Sequence, residues 1–250
     1  MSLFILFPFI FTASFILTMV GLGGGLIFAP LFILLEFPVS TAVSTSLFLN
    51  GIAALSAAIT YFRRKMIDLP IGLPLIVSSS LVAPLGAYFT AKVDIRVFTA
   101  VLTAVILLAA LRMLFSGKAE SKEAQIGPLP RIAGGAVIGT LIGFVAGMLG
   151  IGGGVFVVPL LVYILKVPTK TAAATSIFIV VFSSFSGFLA HISTSRPDWQ
   201  FILLAAVFSF AGGQLGSRIM AEKLKGQTVR RIFGLVLLVF VVKLLQRIFS

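Results

Sequence analysis

The chain has 250 residues, 59% of them hydrophobic and only 10% charged, with a net charge of +12. Soluble domains carry roughly 25% charged residues, so this composition excludes a soluble globule, and the apolar runs do not alternate as a membrane barrel requires. With no cysteine, one histidine and seven acids, disulfide and thiol chemistry are excluded, and neither a metal site nor a cofactor is expected.

In chain order, apolar runs cover about 4–35, 39–62, 69–91, 95–115, 132–165, 171–192, 199–221 and 229–249. A spanning helix needs about 20 apolar residues, so the expected fold is an all-α polytopic membrane protein in a lipid bilayer. The opening stretch MSLFILFPFIFTASFILTMV lacks a basic n-region. It reads as a retained segment and not as a cleaved signal. The first and fifth runs are too long for one crossing. Each contains a glycine-rich word, GLGGGLIFAP at 21–30 and GIGGGVFVVP at 150–159.

The two words match at five of ten positions. After one inserted residue, PVSTAVSTSLF (38–48) matches PTKTAAATSIF (168–178) at six of eleven. Leu85-Gly86 then falls opposite Leu215-Gly216. The chain therefore reads as two homologous four-segment halves, 1–115 and 131–250, joined by the polar linker SGKAESKEAQIGPLP at 116–130.

Charge placement bears on topology. If every run crosses once, the 19 Lys and Arg split 10 to 9 between the two sides. If the first and fifth runs turn back at their glycines, the split becomes 14 to 5. The positive-inside rule favours the second arrangement. Each half then crosses an odd number of times, which makes the halves inverted repeats, a plan that puts a transporter's site near the midplane. The same placement accounts for the positive charge. The cations lie between or at the ends of apolar runs, without the interleaved aromatics of a nucleic-acid surface, so no nucleic acid is expected as a partner.

The glycine words admit two readings. Small residues let transmembrane helices approach closely, and Gly139, Gly143 and Gly147 form such a row. Three consecutive glycines, however, face three directions. They suit a broken helix in which positive φ is allowed and backbone N–H groups are freed. Such backbone is tolerated at membrane depth only inside protein or beside a water-filled cavity. Candidate substrate contacts are therefore Gly23, Gly24, Gly25, Gly152, Gly153 and Gly154.

After each word a proline (Pro38, Pro168) suits a helix start, and hydroxyls follow at Thr45 and Ser46, and at Thr175 and Ser176. These hydroxyls admit two readings, lining the same cavity or bonding back to their own helices. Asn50 and Gln214 lie in apolar surroundings and call for a partner in the bundle or a polar cavity. The carboxylates lie at run ends or in loops, no Lys or Arg falls clearly mid-run, and His191 lies near the end of a run, at the interface. An anion site can still be built from freed N–H groups at helix starts, completed by hydroxyls and amides.

With these residues in view, the chain resembles the sulfite exporter TauE/SafE family, also called the toluene sulfonate uptake permease family. The likeness rests on GLGGGLIFAP with TAVSTSLF, on GMLGIGGGVFVVPLL with TAAATSIF, and on the length and two-half layout. It implies an integral protein of a prokaryotic plasma membrane that moves sulfite, a sulfonate or a related oxidised sulfur anion, and it brings no catalytic residues. The expected function is transport of a small anion. The alternatives are a channel-like uniporter of another small organic acid and an intramembrane enzyme. The enzyme reading lacks a nucleophile–base pair.

Overall fold

The computed structural model describes residues 3–23, 25–90, 95–115, 127–149, 154–192 and 198–249. Among these it contains ten helices and no strand. In the first half they are α1 (Leu3–Val20), α2 (Gly25–Leu34), α3 (Val39–Arg63), α4 (Leu69–Thr90) and α5 (Ile95–Phe115). In the second they are α6 (Pro128–Leu149), α7 (Gly154–Tyr163), α8 (Thr169–Ile192), α9 (Trp199–Glu222) and α10 (Gly226–Phe249). Helix α6 begins three residues before 131, on a proline whose missing N–H costs nothing in a first turn.

Eight helices are long; α2 and α7 have ten residues each. At 1.5 Å per residue those two reach only about 15 Å, half a hydrocarbon core. By length and composition, Ser40–Arg63, Thr169–Leu189 and Trp199–Glu222 can each cross a membrane. These spans and the apolar character of the other helices make the chain a multi-pass membrane protein.

Helix directions follow from residue pairs. Phe11 and Phe15 of α1 meet Gly212 and Gly216 of α9 in ascending order, so these helices run the same way. Leu49 and Ala53 of α3 meet Ser209 and Gly213 in ascending order too. In contrast, Leu47 packs on Gly187, Asn50 on Ser184 and Gly51 on Phe185, so α3 and α8 are antiparallel. Ile71, Leu75 and Ser79 of α4 climb beside Gly135, Gly139 and Gly143 of α6, again in parallel.

Glycine makes the tightest of these contacts possible. A Cβ on Gly135, Gly139 or Gly143 would overlap a backbone carbonyl of α4, and one on Gly212 or Gly216 would overlap a carbonyl of α1. Lipid offers no hydrophobic drive between helices, so close backbone approach carries the packing. The environment of Gly147, the third residue of the expected row, lies outside the described residues.

The bundle has two chemically distinct ends. At one, Phe201 at the start of α9 packs against Phe7, Phe32 and Phe37. Phe7 lies near the start of α1 and Phe32 near the end of α2, so α2 returns toward the level at which α1 began. At the other end, Arg64 pairs with Glu222, Arg131 with Asp68 at 3.4 Å, and Lys170 Nζ donates to Ala221 O at 2.8 Å. There Leu165, just past α7, packs on Gly134 near the start of α6. Helix α7 therefore returns to the level at which α6 began.

Candidate functional site

The first glycine word closes α1. Val20 is its last residue, and Leu22 N donates to Leu17 O at 2.9 Å while Gly21 N donates to Thr18 O at 3.3 Å. Gly21 has φ +89°. This is a Schellman ending, which needs a left-handed residue just past the helix. Gly23 follows with φ +67°, another conformation in which a Cβ is disfavoured. Helix α2 then starts on Gly25, the last glycine of its word, as α7 starts on Gly154. Gly24, Gly152 and Gly153 lie outside the described residues.

The two words meet. Ser176 is fully buried, and its Oγ donates to Gly21 O at 2.7 Å and, more weakly, to Gly154 O at 3.4 Å. A Cβ on Gly154 would lie 3.7 Å from Leu22 O and 3.0 Å from Val180 Cγ2. A Cβ on Gly23 would collide with Asn50 Oδ1 and lie 3.0 Å from Val180 Cγ1. Asn50 and Val180 stand halfway along α3 and α8, so the words are gathered at the middle of the antiparallel pair. Asn50 is fixed there by Nδ2 donating to Ser184 Oγ at 2.7 Å.

The first helical N–H groups of α2 and α7 have no intrahelical carbonyl to bond. Both helix starts lie beside Val180, one preceded by Gly23 and the other beginning with Gly154. Among the described residues no Lys or Arg occupies the middle third of a helix. The electropositive features at mid-bundle are therefore helix ends and neutral donors. Ser46 is buried within the same stretch of α3.

The two matching threonines differ. Thr175 Oγ1 accepts the backbone N–H of Asp68 at 3.0 Å, at the charged end of the bundle. Thr45 is 1% exposed, and its Oγ1 has no hydrogen-bond partner. Gln214 lies away from the glycine words, between α9 and α3. In the amide orientation that satisfies both ends, Nε2 donates to Ser56 O at 2.9 Å and Oε1 accepts from Thr60 Oγ1 at 3.2 Å.

Two participants are absent from the reading of the sequence. Ser184 gave no signal, because a lone serine in an apolar helix looks like any other. Asp68 gave one: it lies 23 residues after Thr45, as Asp198 lies 23 after Thr175.

The family model described as "Sulfite exporter TauE/SafE" matches residues 6–244. The chain is 27% identical to "Probable membrane transporter protein YunE" of Bacillus subtilis, over 93% of this chain and 94% of that one. It is 26% identical to "Probable membrane transporter protein YdhB" of the same organism, over 83% and 86% of the two chains. It is 24% identical to "Probable membrane transporter protein MJ0441" of Methanocaldococcus jannaschii, over 78% and 76%. No solved structure matches. A match across nearly the whole chain, on a helical scaffold with membrane-spanning segments, places this protein among membrane transporters and not enzymes: it belongs to the sulfite exporter TauE/SafE family.

Proposed function

We propose that the protein carries a small anion, an oxidised sulfur compound such as sulfite or a sulfonate, across a prokaryotic plasma membrane, and binds it where the glycine words meet. The observation that carries this reading is the convergence of two half-length helices, α2 and α7, each starting on the last glycine of its word. Their freed N–H groups and positive dipole ends favour an anion, by about 0.3–1 kcal/mol each when exposed and up to roughly 2 kcal/mol when partly buried. Gly23, Gly24, Gly25 and Gly152, Gly153, Gly154 would supply backbone donors, with Ser46 and Asn50 completing the shell and Ser176 tying the two words together. Weak binding without a cation suits a carrier that must also release its load.

Inverted repeats accompany this reading. Two sets of packing pairs exchange with one another when the halves are swapped: α1 with α9 and α6 with α4, α2 with α3 and α7 with α8. Glu36 and Lys166, 130 positions apart, both hold positive φ after the short helices, at 63° and 52°. Equivalent helices α3 and α8 run antiparallel, as inversion requires. If the first and fifth runs turn back at their glycines, 63–65, 112–131, 166–170 and 218–231 share one side, with 14 of the 19 Lys and Arg. That side is cytoplasmic by the positive-inside rule.

The test is flux in sealed vesicles combined with a thermal-shift screen against sulfite, sulfate, thiosulfate, taurine, sulfoacetate and carboxylates. A cognate sulfur anion raises Tm by mass action and crosses intact. Stabilisation and flux only with carboxylates would refute the sulfur assignment. Topology is tested separately, since the chain has no cysteine. Single cysteines at Ser121 and Lys166 should label from the same side, and labelling from opposite sides would sink the inverted arrangement.

A further inference from the structure

We propose that Thr175 with Asp68, and Thr45 with Asp198, form two alternative latches of the carrier, the first closed and the second open in this conformation. The inference rests on the inverted-repeat reading above and extends it to how access to the site is controlled.

Both aspartates start the fourth helix of their half in the same way. Asp68 Oδ1 accepts the N–H of Ile71 at 3.3 Å, at the start of α4. Asp198 Oδ1 accepts the N–H groups of Gln200 and Phe201 at 3.0 and 3.2 Å, at the start of α9. Both threonines are the seventh residue of their helix. Thr175 of the second half holds the N–H of Asp68 of the first. Exchanging the halves turns that bond into one between Thr45 Oγ1 and the N–H of Asp198.

That bond is not made. Thr45 Oγ1 is buried without a partner, and Asp198 is exposed. A helical threonine ordinarily bonds a carbonyl one turn back, as Thr12, Thr18 and Thr140 do at 2.6–2.9 Å. The Thr45 hydroxyl does not. It is a buried donor held ready for a partner beyond its own helix, and leaving it unmade is unfavourable. The partner is close at hand. Phe48, three residues on, already meets Trp199 edge-on with ring centroids 6.5 Å apart, and Trp199 is the neighbour of Asp198.

The closed latch is tied down further. Arg131 at the start of α6 pairs with Asp68 at 3.4 Å, and the Asp68 side chain is only 9% exposed. The joint therefore binds α4, α6 and α8 together at the charged end. If it is released, α4 and α6 can move away from α8 at that end, while the start of α9, already packed beside α3, shifts along it to bring the Asp198 N–H to Thr45. A two-state device of this kind needs two states close in free energy, so that ligand or thermal energy can exchange them. The two Thr–Asp bonds are equivalent in the repeat, and the Arg131–Asp68 pair tips the balance toward the first latch.

The experiment uses the full, naturally cysteine-free chain in vesicles, with cysteine pairs at D68C/T175C and at T45C/D198C. Each pair should form a disulfide under mild oxidation, the first faster, and each disulfide should stop sulfite flux until reduced. Thr175→Val should raise the rate of T45C/D198C cross-linking roughly two- to tenfold, the population shift expected for loss of one net hydrogen bond, and Thr175→Ser should return it to the starting rate. Cross-linking of D68C/T175C without any of T45C/D198C would overturn the proposal, as would both disulfides forming in one molecule of the four-cysteine variant. Cross-linking is read without flux, so a protein that moves none of the tested anions would defeat the transport reading and leave the latches standing. Should a pair fail to fold, stability decides: Thr175→Val should lower Tm and Thr45→Val should not. Equal losses would overturn the asymmetry. A Thr45→Val protein that has lost its sulfite-induced thermal shift would overturn it also, in favour of direct anion contact.

Discussion

Replacing Gly23 by alanine perturbs the meeting of the glycine words at one atom. Gly23 has φ +67°, and a Cβ there collides with Asn50 Oδ1. The left-handed conformation alone costs an L-residue about 1–2 kcal/mol. Relief of the collision moves Asn50, whose bond to Ser184 at 2.7 Å is worth about 0.5–1.5 kcal/mol net. Together the penalty is about 1.5–3.5 kcal/mol, or roughly 10- to 400-fold in the population of the intact site. The assay is initial flux of sulfite into vesicles at matched protein insertion, with Tm measured in parallel. Gly127→Ala is the control, since its Cβ would meet only Pro130 Cδ at 3.9 Å. The double variant Gly23→Ala/Asn50→Ala separates the two contributions: it removes the collision and keeps the φ penalty, so the effects should be clearly non-additive. Wild-type flux and Tm in Gly23→Ala would refute the reasoning, because neither the turn nor Asn50 would then be constrained.

Three further outcomes are expected. Ser176→Ala unties both glycine words and leaves the carbonyl of Gly21 buried, so it should cost about 1–3 kcal/mol, seen as a lower Tm and reduced flux. Gln214→Ala breaks the joint to Ser56 and Thr60. It should lower Tm while leaving the apparent KM for the carried anion unchanged, and a raised KM would return Gln214 to the anion site. Gly143→Leu would drive a side chain into the Ser79 backbone of α4, where over-packing costs about 1–3 kcal/mol or more. Loss of folded protein on size-exclusion chromatography is the expected result, and a monodisperse variant would argue against the α4–α6 contact.

The sequence by itself determined what local chemistry controls. Long apolar runs with few charges and no alternation can only be membrane helices, because the other way to satisfy the backbone in lipid is a closed barrel of alternating strands. Helices start and stop where residue types dictate. Helices α2 and α7 both begin on the last glycine of a triplet, and Gly21 and Gly23 take φ values that other residues avoid. The repeated words likewise mark the chain as a member of its family, since a word of ten residues is legible without any fold. Tertiary structure decided everything that depends on which surfaces meet. Thr45 and Thr175 occupy equivalent positions, yet one holds Asp68 and the other holds nothing. Gln214 calls in sequence for either a bundle partner or a polar cavity, and only the fold supplies the partners, Ser56 and Thr60 of α3. Ser184 is invisible until α8 runs antiparallel to α3 and brings it to Asn50. A hydrogen bond between residues more than a hundred positions apart leaves no local trace, because either partner alone is compatible with many neighbours, and only the packed bundle selects one.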